Sequence, residues 1–285
     1  MRMPALLTVL VLCLTGPALA QAPDPVRAVT YNVRYDAAAD DPGWTVRRPH
    51  LVAQLVFLDA DLIGVQEALP HQVVHMAEGL PGHDHYGVGR DDGADAGETT
   101  TLFWRRDRFE ALSRETFWCS PTPDRPSKGW DAALPRTITR VVLRDRLDGE
   151  VWDVRNTHFD HVGQEARLRC AEQIASLEPA PGARLIVMGD FNTGPETDPY
   201  RALIASGLSD ARVVSPAAFG PTGTYNAFDA TRGQGAPAID HIFVGPGLSV
   251  LRVGVLTDTI GGKAISDHFP VAADVWATAA GEHGP

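Results

Sequence analysis

Six short clusters set acids, amides and imidazoles where a chain selected only for stability has no need of them. Val29-Thr30-Tyr31-Asn32 ends an apolar run on an amide, and Ile63-Gly64-Val65-Gln66-Glu67 ends another on an acid. Asn156, His158 and Asp160 alternate, so an extended chain sets all three on one face. Asp190 and Asn192 stand in the same relation in Gly189-Asp190-Phe191-Asn192. Asp240 opens the run Asp240–Phe243, and Asp267-His268 directly precede Phe269-Pro270-Val271. Singly, each is ordinary: Asn32 can cap a turn, Asp190 or Asp267 can cap the loop that follows, and Glu67 can begin a surface helix. Together they read differently. If the strand ends converge, these groups meet in one cleft, at an electrostatic cost that stability does not favour.

Such a set suits the hydrolysis of a phosphate ester. The ester's negative charge repels a nucleophile and its alkoxide leaves poorly, and a hard cation on the phosphoryl oxygens addresses both. Glu67, Asp267 and Asn32 offer oxygen donors, which favour Mg2+ or Mn2+. His268 has the pKa to take a proton from water, and Asp240 is the acid to fix its tautomer. Asp190 and Asn192 are placed to orient that water or hold a phosphoryl oxygen. Arg136, at the head of a strand, is the candidate phosphate contact. Asn156, Asp160 and His161 are assigned to the substrate side, with Lys128 and Trp130 at the rim. There Trp130 could stack an apolar group, or could simply pack its loop onto the sheet while Lys128 is solvated. Two histidine pairs, His71/His75 and His158/His161, also have spacings that zinc uses. His71-Gln72-Val73-Val74-His75 lacks the glutamate of the zinc-protease motif, so a solvated helix face explains the first pair, and His161 beside Asp160 suits a substrate cleft.

Strands must carry these groups to one edge. Apolar runs of strand length occur at Val26–Val33, Leu62–Gln66, Thr100–Trp104, Ile138–Leu143, Val151–Phe159, Leu185–Met188, Ile239–Val244, Ser249–Leu256 and Val271–Trp276. Leu51, Val52, Leu55 and Val56 share a helical face, as do Ala166, Cys170, Ile174 and Leu177, and Asp198–Gly207 reads as a short helix stopped by glycine. Strands mixed with a few helices predict packed sheets with helices outside.

The ordered series Tyr31-Asn32, Gln66-Glu67, Asn156-Thr157-His158, Gly189-Asp190-Phe191-Asn192, Ile239-Asp240-His241-Ile242 and Ser266-Asp267-His268 resembles the endonuclease/exonuclease/phosphatase superfamily. Deoxyribonuclease I, apurinic endonucleases, neutral sphingomyelinases and inositol-polyphosphate phosphatases belong to it. The resemblance runs from about Val26 to Trp276. It is strongest to exported bacterial members of unassigned substrate, through Phe117-Trp118, Ser127-Lys128-Gly129-Trp130-Asp131 and Leu134-Pro135-Arg136. It implies an α/β (α+β) fold, a four-layer α/β/β/α sandwich of two mixed β-sheets flanked by helices. It further implies Glu67 as main metal ligand with Asn32 and Asp267 completing or supporting the shell, and a paired Asp240 and His268. His158 would stabilise the pentacovalent state or protonate the leaving group, and Glu98 would sit behind that histidine.

Composition fits an enzyme outside the cytoplasm. Arg2, the apolar Ala5–Leu14 and the small Ala18-Leu19-Ala20 form a removable signal cleaved after Ala20, leaving 21–285 as one domain with a core of about 26–276. The protein is expected in the periplasm or medium, without a membrane span and as a monomer. With 44% hydrophobic and 21% charged residues the chain is globular. Its net charge of −11 becomes −12 without Arg2, which argues against a stable nucleic-acid partner. Cys119 and Cys170 are expected as separate buried thiols rather than a disulfide, although an oxidising compartment permits one. The reading is thus a metal-dependent phosphoesterase for a small-molecule or lipid-headgroup phosphodiester. The alternatives are a DNA endonuclease or RNA 3′-exonuclease of the same superfamily, or an inactive binding module. Loss of Glu67, Asp190 or His268 would mark the last, and all three are present.

Overall fold

The computed structural model describes residues 24–233 and 235–278; the expected signal segment lies outside them. In chain order the elements are β1 Val26–Asn32, α1 Trp44–Leu58, β2 Leu62–Gln66, α2 Pro70–Gly79, β3 His83–Tyr86, β4 Leu102–Arg105, β5 Phe109–Trp118, β6 Thr137–Asp145 and β7 Val151–His158. There follow α3 Gln164–Ser176, β8 Arg184–Asp190, α4 Asp198–Ala205, β9 Ser209–Asp210, α5 Ala211–Val214, β10 Ala218–Phe219, β11 Asp240–Val244, β12 Leu248–Val255, β13 Thr259–Ile260, β14 Lys263–Ala264 and β15 Val271–Ala277. One sheet has the order β10-β12-β15-β1-β2-β4-β3, the other β5-β6-β7-β8-β11-β9, and both mix parallel and antiparallel pairs. The expected four-layer sandwich is the one observed.

Alternation builds the layers. Val26 and Ala28 of β1, Trp152 and Val154 of β7, and Ile186 and Met188 of β8 fill the space between the sheets. The opposite faces pack outward. Val29, Tyr31, Ile63 and Val65 meet Leu51 and Leu55 of α1 and Met76 of α2. Val187 and Phe243 meet Cys170 and Ile174 of α3 and Leu203 of α4. Along each strand the inner face turns from apolar to polar toward one end: Val26, Ala28, Thr30, Asn32 on β1, and Trp152, Val154, Asn156, His158 on β7. Register aligns those polar ends. Asn32 pairs with Gln66 in the parallel β1–β2 ladder, and His158 with Asp190 in the parallel β7–β8 ladder. Asp240, at the start of antiparallel β11, stands opposite Asp190.

The expected strands and helices appear, and further strands are added: the edge strands β3 and β5 and the two-residue β9, β10, β13 and β14. β5 reads Phe-Glu-Ala-Leu-Ser-Arg-Glu-Thr-Phe-Trp and is largely solvated, so little alternation marks it. Edge strand β3 is four mostly polar residues, His-Asp-His-Tyr. The cysteine expectation is overturned: Cys119 and Cys170 form a disulfide, with Cα atoms 5.0 Å apart. Cys119 follows β5 and Cys170 lies on the inward face of α3, so packing α3 on its sheet brings the two together.

Candidate active site

The aligned strand ends open into a cleft of about 510 Å3 that Glu67, Glu98, Arg136, His158, Asp190 and His268 line. Asn192, His161 and Asp267 reach it as well. Beneath it lies a polar floor between the sheets. Gln66 Nε2 donates to Thr30 Oγ1 (3.0 Å) and Asn156 Oδ1 (2.7 Å), while Asn156 Nδ2 donates to the carbonyls of Val65 (2.9 Å) and Thr101 (3.1 Å). Asn156 is therefore a brace between the sheets, and its assignment to substrate is corrected. It shares the inner face with His158 but lies one pleat deeper, where it is wholly buried.

One wall is acidic. Asn32 Nδ2 bridges Glu67 Oε1 (3.0 Å) and Asp190 Oδ2 (2.9 Å), and its Oδ1 accepts the Arg34 N–H (3.0 Å). Asn32 thus supports the carboxylates as a bracket. Glu67 has a left-handed backbone (φ 64°), which turns its carboxylate back over the end of β1; Oε2 there accepts the Tyr35 N–H at 3.2 Å. Burial raises the Asp267 carboxyl, His268 offsets this, and the nearby charge of Glu67 adds to it. Two hard-oxygen carboxylates that repel each other at the end of a cleft fit a divalent cation, which would relieve that repulsion. Arg34, whose guanidinium stands 3.8 Å from Glu67 and 3.9 Å from Asp267, supplies part of the balance.

The second group is acid and imidazole. His268 Nδ1 lies 2.8 Å from Asp240 Oδ2, and its Nε2 faces Asp190 Oδ2 at 3.8 Å. Burial alone would depress this imidazole, but Asp240 and Asp190 outweigh it and hold it well above its ordinary value. Asp190 is buried beside Asp240, and those two causes push it up to about 7 against the pull of His268. Asp190, Asp240 and His268 can bring ligand atoms within 4.8 Å of one another. Their mutual pairing makes them an acid–base group, whereas Glu67 and Asp267 keep oxygen donors facing the cleft. Asn192 donates its N–H to Asp190 Oδ1 (2.9 Å) and its Nδ2 to the Phe159 carbonyl (3.0 Å), which fixes the turn after β8.

Several expected substrate contacts serve the loops instead. Asp160 Oδ1 accepts the Val162 and Gly163 N–H groups (3.0 and 2.7 Å), and Oδ2 accepts that of Leu134 (3.2 Å). Burial works against its ionisation, yet those backbone donors hold its carboxyl down at about 2. Asp160 is corrected from substrate contact to loop anchor. Lys128 and Trp130 are exposed on a loop away from the cleft lining. Polar neighbours explain that loop: Asp131 Oδ1 accepts the Ala166 N–H (2.7 Å) at the start of α3, and Ser127 bonds Ser120 and Thr122. Its segment is pinned to α3 and the end of β5, leaving Leu134 at the rim. Glu98 lies in the cleft, but its partner is Arg90, in two bonds of 2.6 and 2.9 Å, and the group behind His158 is Arg136. Burial pushes Glu98 up to about 7 against the Arg90 charge. Trp118 holds the Arg90 carbonyl at 2.7 Å, which gives the Phe117-Trp118 motif its work.

Arg34, Tyr35, Tyr225 and Ile239 complete the lining and escaped the sequence reading. Adjacency to Asn32 and Asp240 was the available signal for Arg34, Tyr35 and Ile239. Tyr225 had none: an isolated bridge from the long β10–β11 loop brings it to His268. His71, expected on a solvated face, is exposed beside Asp36, and His75 sits between Trp44 and Arg48. A groove of similar size, about 470 Å3, lies at the other end of β2 among Leu55, Asp59, Leu80, His83, Arg105 and Asp107. There His83 bonds the Ala60 carbonyl (2.9 Å) and Asp59 bonds Arg105, so its acid and imidazole are not paired with each other.

The model of the Endonuclease/Exonuclease/phosphatase family matches residues 29–268, which includes every strand-end motif above. The chain belongs to this family. A family protein from Bacteroides thetaiotaomicron is 37% identical over 89% of this chain and 98% of its own, with a TM-score of 0.85. A mannosyl-6-phosphatase of the same organism is 37% identical over 88% and 99%, with a TM-score of 0.84. The human Nocturnin catalytic domain, solved with bound sulfate, is 18% identical over 90% and 94% at a TM-score of 0.67, a likeness of fold alone. No functionally curated protein matches. Family members include phosphatases and nucleases, so the coarse class is a phosphoesterase.

Proposed function

We propose that this chain is a divalent-metal-dependent phosphoesterase acting on a compact phosphate ester, with residues 21–285 as one catalytic domain. The observation that carries this is the 2.8 Å Asp240–His268 pair, whose Nε2 faces a cleft that Glu67 and Asp267 also enter. Glu67 and Asp267 would hold Mg2+ or Mn2+, which when bound supplies charge neutralisation on the phosphoryl oxygens. With a cation held by Glu67 and Asp267, the pull of Asp240 and Asp190 would be opposed and the His268 ring returned toward neutrality. Asp240 would then keep its one proton on Nδ1, leaving Nε2 to receive a proton from water. Asp190, held by Asn32, keeps the acceptor side of the cleft in place, and the Arg136 charge draws the phosphate in.

The 37% identity to a mannosyl-6-phosphatase favours a sugar phosphate monoester over a phosphodiester as the first substrate class. Arg34 and Arg136 at the cleft agree with a small anionic head. The test is a hydrolysis panel with mannose 6-phosphate, bis-p-nitrophenyl phosphate, inositol phosphates, sphingomyelin, single-stranded RNA and plasmid DNA. Each is assayed with Mg2+, with Mn2+ and after exhaustive EDTA dialysis. Turnover of a small ester that EDTA abolishes and metal restores is expected. Full activity without metal would overturn the mechanism, and cleavage of nucleic acid alone would overturn the substrate class.

Export belongs to the same proposal. The disulfide suits an oxidising compartment, and residues 1–20 have a signal's composition. A reporter fused after residue 25 should be exported and cleaved after Ala20; an unprocessed cytoplasmic product would overturn this part.

A further inference from the structure

Arg136 comes from the head of β6, whose Ile138 pairs with Thr157, so the guanidinium arrives beside the end of β7. It is almost fully buried, and three of its N–H directions are taken. Nη1 lies 2.9 Å from Nδ1 of His158, Nη2 lies 3.0 Å from Nδ1 of His161, and Nε lies 3.4 Å from Oδ2 of Asp160. Guanidinium groups donate and never accept, and they stay charged in proteins. In both imidazoles Nδ1 must therefore carry the lone pair. A ring with its lone pair on Nδ1 holds its one proton on Nε2 and is neutral, whereas an imidazolium would point N–H at N–H. One side chain thus dictates the tautomer of two histidines that line the cleft.

The freed ends point usefully. His158 Nε2 is 3.5 Å from Asp190 Oδ2, too long for a full hydrogen bond, so its N–H remains available to an oxygen in the cleft. Its surroundings agree with neutrality: burial, then the charges of Arg136 and Arg90, keep this imidazole well below its ordinary value. We propose that Arg136 is a positioning residue that locks His158 and His161 as neutral Nε2–H tautomers, making them N–H donors to phosphoryl oxygens and excluding His158 as the acid for the leaving group. This rests on the reading of the cleft as a phosphoester site, but the tautomers can be measured without any substrate.

The decisive measurement is a long-range 1H–15N correlation on the histidine-labelled, unmutated protein at neutral pH, assigned with His158→Gln and His161→Gln. Both rings should show a protonated Nε2 and a bare Nδ1. An Nδ1–H or doubly protonated His158 would overturn the assignment, even if Arg136→Gln proved unable to fold. Arg136→Gln, whose amide can accept as well as donate, should release the constraint so that at least one ring changes tautomer or charge. It should lower kcat about 100-fold, the lower end of the scale for losing one preorganised donor, and Arg136→Lys should rescue only part. Unchanged tautomers and near-native kcat in Arg136→Gln would overturn the role. Two Nε2–H rings in a protein that hydrolyses no phosphate ester would sink the proposed function while leaving the tautomer assignment standing.

Discussion

In the proposed mechanism His268 takes a proton from water, and Asp240 holds the ring for that task at 2.8 Å. Removing either partner should stop the chemistry while sparing the cation. His268→Ala and Asp240→Asn are expected to lower kcat by at least about a hundredfold, the usual scale for a general base. Mn2+ affinity, measured by calorimetry, should stay within a few-fold of native in both. Glu67→Gln should reverse the pattern, with weakened Mn2+ binding dominating and activity partly restored by excess metal. Near-native turnover by His268→Ala at neutral pH would mean the base is elsewhere. At this scale the sequence was readable wherever a polar residue ended an apolar strand, as Asn32, Glu67, His158, Asp190 and Asp240 do. It misled where alternation was the only guide. Asn156 obeys the same period as His158, but one pleat of depth decides between floor and cleft, and depth is a property of two packed sheets. Asp160 looked equally suited to substrate, yet the backbone N–H groups of Leu134, Val162 and Gly163 and the Arg136 side chain use up its oxygens.

At the scale of elements, the site depends on β7 and β8 running close enough for His158 to sit beside Asp190. Gly189 makes that approach possible. Its φ of 153° is one that side chains rarely adopt, and a Cβ there would stand 2.1 Å from the Thr157 carbonyl oxygen. Gly189→Ala should therefore cost about 1–3 kcal/mol or more in chemical denaturation, through strain at that backbone and displacement of β7. Native stability would show that the two strands can part without loss. The outer face of the same sheet carries a polar knot: buried Asp153 on β7 accepts from Arg140, Arg155 and the Ala180 N–H. Burial opposes its ionisation, but the two arginines prevail and its carboxyl lies below the ordinary value. A depressed carboxylate contributes stability above its unfolded pKa of about 3.9 and loses it as pH falls through the folded value. Asp153→Asn should thus cost about 3 kcal/mol at pH 7, as buried pairs do when one partner is removed, and the gap from native should narrow in acid. An equal gap at pH 7 and pH 3 would refute the linkage. The disulfide adds a covalent tie between β5 and α3 across 51 residues. Its closure is worth about 4 kcal/mol on chain-entropy grounds, and the Cys119→Ala/Cys170→Ala protein should melt correspondingly lower. Pairing escaped the sequence because neither cysteine's spacing shows which helix face will meet which strand end.

The whole molecule is acidic, at −11 over the chain, yet two arginines reach its cleft. Arg34 stands beside Glu67 and Asp267, and Arg136 reaches the lining from behind His158. Several other arginines are tied into ion pairs with aspartates, as Arg27 and Arg252 are with Asp274 and Arg108 is with Asp61 and Asp145. Two arginines at the cleft suit a single anionic group better than a run of phosphates. The difference has a measurable consequence, because each phosphate that a protein neutralises on duplex DNA releases counterions, and affinity then falls steeply with salt. An enzyme gripping a single phosphate inside a cleft neutralises little beyond that group. Raising salt from about 50 to about 200 mM should change kcat/KM for a small phosphate ester by less than about threefold, against the roughly 10³–10⁵ loss expected for six to ten phosphate contacts. On the proposed reading plasmid DNA should be a poor substrate at either salt, since the chain's net charge of −11 opposes a polyanion. Steady-state kinetics on the best small ester from the panel, run beside plasmid nicking across the same salt series, reads both quantities. Efficient nicking with a steep salt slope, and no turnover of small esters, would show that the acidic surface conceals a nucleic-acid track and that the compact-ester reading is wrong.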